Sequence, residues 1–374
     1  MILCKDDACP PWRLFEPQRN VLSRVGPLPG ARGDAIRVDW LISAIYGEDA
    51  VFWKTKGFDD WRWDAGSRDK LALTQWFLDI YLPIGAGASV LLGSFQNPLA
   101  LEVGYGSFVP PNWFASRSYA FVAGPSKQVG ALAQFKLPLA PALGVASASV
   151  GVVSDWNSFD LGAGAPMPGF IGIVSWRSPD LATWLDVEFM YANGEDDFGD
   201  VTRVDDTLRP LGGGTQYLAL SSTDEVLDRF IGYVTLVHAF DQRTRIALEA
   251  VYGHQEAGDR APLPFTITRH SPFYGVNVAI RRQLHERVHV GLRAEWFADD
   301  HAASILWSGV GATGGDVYAL TASLAWEPSP HVLLRPELKF DVYAGGGHLF
   351  ATARDGRARE DAQLLGVVNL ELRF

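Results

Sequence analysis

The sequence predicts an all-β chain folded as a single antiparallel transmembrane β-barrel of about fourteen strands. Three observations carry this expectation. Apolar and polar side chains alternate through recurrent short segments. The gaps between those segments are long and short in turn. The last segment, 363–374, keeps the alternation up to an aromatic carboxy-terminal residue, Phe374.

Composition agrees with strands. The 374 residues include 13 Trp, 11 Tyr, 21 Phe and 38 Gly, a mixture that favours β structure and tight turns. Pro, Gly and small residues interrupt every uncharged stretch, so none offers the ~20 bulky apolar residues that a membrane helix needs. A net charge of -11 argues against a nucleic-acid partner, because phosphate binding needs a basic surface.

Residues 1–34 hold five prolines and little periodicity, and read as an irregular periplasmic arm ahead of a barrel over 35–374. Within the arm, Cys4 and Cys9 could close a small disulfide loop or be two unrelated thiols. Met1 to Cys4 run straight into Lys5, Asp6 and Asp7 without a secretory apolar core. An outer-membrane chain needs such a signal. Its absence by itself supports a soluble cytoplasmic protein, unless the numbering starts near the mature chain or the start codon was placed too late.

Short gaps fall at 83–85, 138–143, 178–181, 241–242, 284–286 and 328–330. Long gaps fall at 47–68, 97–126, 156–166, 194–227, 255–269, 299–313 and 344–362. Transmembrane barrels have this rhythm of short periplasmic turns and long outer loops, and seven long gaps with six short ones leave fourteen strands with both ends on the periplasmic side. A hidden strand pair within 194–227 would make sixteen.

The strand parities then assign faces. Tyr318, Leu320, Ala322, Leu324 and Trp326 alternate with Ala319, Thr321, Ser323, Ala325 and Glu327, and Leu334, Leu338, Phe340 and Val342 with Arg335, Glu337, Lys339 and Asp341. A soluble sandwich would bury the apolar set. Aromatics at strand ends favour a membrane, where Trp and Tyr gather at both interfaces. Charges then point inward: Asp79, Asp186, Glu188, Glu249, Glu295, Glu337, Asp341 and Glu371, with Arg245, Arg281, Arg293, Arg335, Lys339 and Arg373, are candidate pore-lining residues. Both signs are present, so cross-wall ion pairs and a narrowed polar pathway are expected, with no strong field of one sign.

The long gap at 97–126 is too apolar and aromatic to be left in water. Folded inward, it would be anchored by Trp113, Phe114 and Tyr119, with Glu102 and Arg117 beside the pathway; equally, its aromatics could pack on neighbouring outer loops.

Across about 70–200, a Gly-containing strand runs into a Pro-and-Glu loop. Asn112, Trp113, Phe114, Ala115, Ser116, Arg117, Ser118 and Tyr119 follow, then a Gly-led strand, then Gly151, Val152, Val153 with Asp155, Trp156 and Asn157. This pattern resembles the OmpL-like family of outer-membrane β-barrel porins. The resemblance implies passive passage of small solutes.

Other strings carry less. His285, Glu286 and His289 match a zinc-protease spacing that works only on a helix, whereas here it spans a turn and a strand start. The acidic run Glu195, Asp196, Asp197, Asp200, Asp205 and Asp206 reads as a solvated loop, with cation or lipopolysaccharide bridging as its alternative. Gly212–Gly214 and Gly345–Gly347 read as loop glycines. No cofactor or metal is expected. Expected partners are outer-membrane lipid and lipopolysaccharide, small solutes, and the barrel assembly machinery through the strand ending in Phe374. A barrel hydrolase and a non-conducting structural or adhesion barrel are the alternative functions.

Overall fold

The computed structural model describes residues 20–27, 36–47, 50, 59, 70–85, 87–102, 112–154, 156, 168–195, 226–255, 271–300, 314–351 and 358–372. In chain order the strands are β1 (Asn20–Pro27), β2 (Arg37–Gly47), β3 (Lys70–Leu82), β4 (Ala88–Gln96), β5 (Lys127–Leu137), β6 (Val145–Val153), β7 (Gly169–Arg177) and β8 (Thr183–Glu195). They continue as β9 (Val226–Ala239), β10 (Thr244–Gln255), β11 (Ser271–His285), β12 (Val288–Asp299), β13 (Gly315–Ser329), β14 (Val332–Gly345), β15 (Phe350–Ala351), β16 (Ala358–Glu360) and β17 (Ala362–Leu372). Fifteen of these form one sheet in sequence order, β1 to β14 and then β17, each antiparallel to the next; β15 and β16 are a separate small hairpin.

Fourteen strands from β2 onward are those the alternation predicts. The fifteenth, Asn20–Pro27, lies within the 1–34 that the sequence reads as an irregular arm. Asn20–Pro27 pairs with β2 in continuous register, from Asn20 opposite Tyr46 to Pro27 opposite Asp39. The prolines of this region flank the strand or sit at its last position, where a missing N–H costs least. Cys4, Cys9, Arg373 and Phe374 lie outside the described residues, as do 196–225, where the hidden strand pair would fall.

Burial inverts the soluble rule. On β13, Val317, Ala319, Thr321, Ser323 and Ala325 are buried while Tyr318, Leu320, Leu324 and Trp326 are exposed. On β14, Glu337 is 3% exposed and its neighbour Leu338 is 59% exposed. A sheet in water would reverse these two, because exposing a leucine and burying a carboxylate both cost free energy. A lipid outside and a polar inside remove the conflict.

The outer face also carries aromatic rows. Tyr252 stands opposite Tyr274, and Trp296 opposite Tyr318, near the long-loop ends of β10 to β13. Tyr274 and Trp296 meet edge to face at 5.5 Å. Near the short turns, Trp184 lies under the Arg177 guanidinium at 5.0 Å, and Trp176 donates from Nε1 to the Leu143 carbonyl at 2.7 Å. Trp326 follows Tyr318 by 8 positions on the same face of β13. That is ~27 Å along a strand, or ~21 Å along the membrane normal at a tilt of about 40°, close to the ~25 Å apolar band of an outer-membrane barrel. Among the described residues no helix is long and apolar enough to cross a membrane.

Inside, one cluster joins Phe95 of β4, Ile171 of β7, Met190 of β8, Ile231 and Tyr233 of β9, Val251, Phe273, Phe297, Val317 and Tyr343 with Leu99, Ala120 and Ala123 from the segment between β4 and β5. A flat sheet could not bring β4 and β14 to one short segment. The wall curls around it.

Candidate functional site

The segment between β4 and β5 leaves and re-enters the sheet at one point, where the Asn97 N–H donates to the Ser126 carbonyl at 3.2 Å. Its described parts, 97–102 and 112–126, are irregular apart from a one-turn helix, α1 (Tyr119–Val122), which Ser118 caps by accepting the Phe121 N–H at 3.1 Å. Irregular backbone away from water must find partners for every N–H and C=O. The wall supplies them.

Carboxylates take the N–H groups. Glu188 of β8 accepts from Ala100 at 2.5 Å, and Glu249 of β10 accepts from Leu101. The two oxygens of Glu337 on β14 accept from Ala115 at 2.7 Å and Ser116 at 2.9 Å. Glu295 of β12 accepts from Tyr119 at 2.9 Å, and Glu102, within the segment, accepts from Ser118 at 2.7 Å.

Donors take the carbonyls. Arg335 donates to Asn112, Ser323 to Trp113 at 3.3 Å, Arg293 to Ser116 at 3.2 Å, Lys339 to Arg117 at 3.5 Å and Tyr233 to Ala120 at 2.9 Å. This division follows chemistry, since ionised carboxylates only accept and guanidinium and ammonium groups only donate.

Arg293 joins the two sets. Its Nε donates to Glu295 at 2.7 Å, its Nη1 to Glu102 at 2.7 Å, and its guanidinium lies 4.7 Å from the Phe114 ring centre. All three charges are buried, which is tolerable only because they compensate one another. Phe114 packs with Val237, Ala247 and Ala279 of β9, β10 and β11. Gly291 makes that seat possible: a Cβ there would stand 3.2 Å from the Phe114 ring and 2.7 Å from Ser323 Oγ. Tyr119 stacks on Phe297 at 6.2 Å beneath the Lys339 ammonium at 4.3 Å.

The residues named from sequence divide into three groups. Glu188, Glu249, Glu295, Glu337, Arg293, Arg335 and Lys339 come together with Glu102, Trp113, Phe114, Arg117 and Tyr119 around this segment. Asp186 pairs with Arg177 at 2.6 Å, and Asp341 pairs with Lys339 at 3.4 Å and accepts from Gln363 at 2.7 Å. Asp79 faces Asp39 across β2 and β3, Arg245 faces Arg281 across β10 and β11, and Glu371 is buried near the end of β17. The parity rule could also have found Tyr233, Ser323 and Asn277, inward neutral residues of β9, β13 and β11. Asn277 donates to Glu249 at 2.8 Å.

The zinc-protease string spans the turn between β11 and β12, with His285 opposite Val288 and His289 opposite Gln283. Among the acidic loop residues, only Glu195 lies in a described strand, and Gly345 closes β14. At the long-loop side, Lys127 and Asp59 form a fully buried ion pair at 2.6 Å.

Comparison with known proteins gives one family and a group of folds. The family model described as beta-barrel porin-2, OmpL-like matches residues 31–374. The outer membrane channel DcaP of Acinetobacter baumannii is similar with TM-score 0.56 and 11% identity, over 95% of this chain and 85% of that one. An anion-selective porin from Comamonas acidovorans gives 0.57 and 11%, over 95% and 90%. OmpT of Vibrio cholerae gives 0.54 and 7%, over 95% and 89%. No curated protein sequence matches the chain.

Proposed function

Because the chain belongs to the beta-barrel porin-2, OmpL-like family of outer-membrane barrels, we propose that it is a passive channel for small hydrophilic solutes, narrowed from within by 97–102 and 112–126. The observation that supports this reading is the bonding of that segment to β8, β10, β12 and β14 through inward charges and to β9 and β13 through the hydroxyls of Tyr233 and Ser323. A channel needs a polar interior of limited bore. The segment supplies the limit and the unsegmented remainder of the inner face supplies the polarity. Glu102, Glu295 and Arg293 act as its central clamp, with Phe114 and Tyr119 as its apolar seats.

On this reading the short turns face the periplasm and the long loops face outward, as in bacterial barrels generally. The barrel occupies 35–374 with β1 added at its leading edge, and the final strand with Phe374 is the part that the assembly machinery engages. Lipid and lipopolysaccharide surround the apolar face.

Swelling of liposomes carrying the purified chain, in a series of neutral sugars of rising size, tests the reading. Rates should fall steeply over a narrow size range. Swelling no faster than that of protein-free liposomes for even the smallest sugar would refute it.

A further inference from the structure

The inner charges are of both signs, but they are not equally available. The carboxylates of Glu102, Glu249, Glu295 and Glu337 each have both oxygens engaged by N–H groups of the segment or by Arg293, Asn277 and Thr235, and Glu188 holds the Ala100 N–H. They hold the protein's own backbone in place of a cation. Their arginine counterpart Arg293 is likewise enclosed.

Arg245 and Arg281 are different. They stand directly opposite each other in the β10–β11 ladder, on the parity of Glu249 and Asn277, next to the short turns. Among the described residues neither makes an ion pair. The charges whose fields reach Arg281 are Arg245 and Arg335, of like sign, and Glu327. Like charges directly opposite in a ladder destabilise it. An anion between them would reverse that cost.

We propose that Arg245 and Arg281 form an anion-attracting site at the short-turn mouth, so that the channel prefers small anions, such as chloride or a small carboxylate, over cations. This rests on the channel reading above. Each arginine, at about 7 Å from a passing ion in water, changes its local concentration by about two- to threefold at low salt, and less as salt screens it.

The test is the reversal potential of the full chain in a planar bilayer under a KCl gradient. The wild type should show chloride preferred over potassium. Arg245→Gln and Arg281→Gln should each lower the permeability ratio by about four- to ninefold at low salt, because chloride falls as potassium rises, whereas Arg281→Lys should keep it. Arg282→Gln, on the opposite parity, should leave it unchanged. Conductance with potassium preferred in the wild type overturns the proposal and spares the channel. An unaltered ratio in both Gln variants, or an equal fall in Arg282→Gln, also overturns it. No conductance at all overturns the proposal together with the channel reading.

Discussion

Replacing Glu337 by Gln tests how the inner segment is held. The carboxylate of Glu337 accepts the N–H groups of Ala115 at 2.7 Å and Ser116 at 2.9 Å and is 3% exposed, so water cannot substitute for it. An amide keeps one oxygen for one of these donors and turns an NH2 toward the other. One charge-assisted bond is lost, at about 1.5–3 kcal/mol, and one buried N–H is left without an acceptor. The bound segment should therefore be released about ten- to a hundredfold more often. Single-channel recording reads this directly, as more frequent steps to a larger current than in the wild type. Far-ultraviolet circular dichroism of the same sample establishes that the wall is intact. A folded variant with wild-type current and wild-type noise would refute the reasoning.

Next to Glu337, Leu338 faces outward, and Leu338→Arg should cost about 2–4 kcal/mol of folding into lipid vesicles if the site lies near the midplane. A cost indistinguishable from zero in urea titrations would contradict the assignment of faces. Gly291→Val places a branched side chain where a Cβ already meets Phe114 at 3.2 Å, so conductance should change while the sheet persists; a wild-type current would show that Phe114 is not seated there. In the turn between β9 and β10, Asp241 accepts the N–H groups of Arg243 and Thr244, which hold its carboxyl below the ordinary value of 3.8. A carboxyl lowered on folding adds stability above its unfolded value, and that contribution is lost as pH falls through the folded one. The difference in unfolding midpoint between wild type and Asp241→Asn should accordingly shrink as pH drops from about 7 toward about 3, and a difference that grows would give the wrong sign.

Much of the wall was legible because a strand between lipid and water records its two environments in alternate residues. Glu337 and Leu338, or Glu295 and Trp296, need no third dimension to be placed on opposite faces. The gap between β4 and β5 was legible as an anomaly, since Trp113, Phe114 and Tyr119 are costly to leave in water. Strand β1 was not legible, because flanking prolines hide an eight-residue strand that only its pairing with β2 makes visible. The partners of the inner charges were hidden for a different reason. Nothing near Glu102 in sequence points to Arg293, 191 residues away, and parity alone cannot say whether a carboxylate meets water, an ion or a backbone N–H. That distinction changes Glu188 and Glu249 from expected lining residues into supports for the inner segment, and leaves Arg245 and Arg281, with the facing Asp39 and Asp79, among the charges at the short-turn mouth.

Removal of the inner segment tests the central claim most directly. The Asn97 and Ser126 backbones already touch, so excising 100–123 rejoins the chain with little change to β4 and β5. In planar bilayers the shortened protein should show a clearly larger single-channel conductance than the full chain. Equal conductance of the two would contradict the account of a pathway narrowed by this segment.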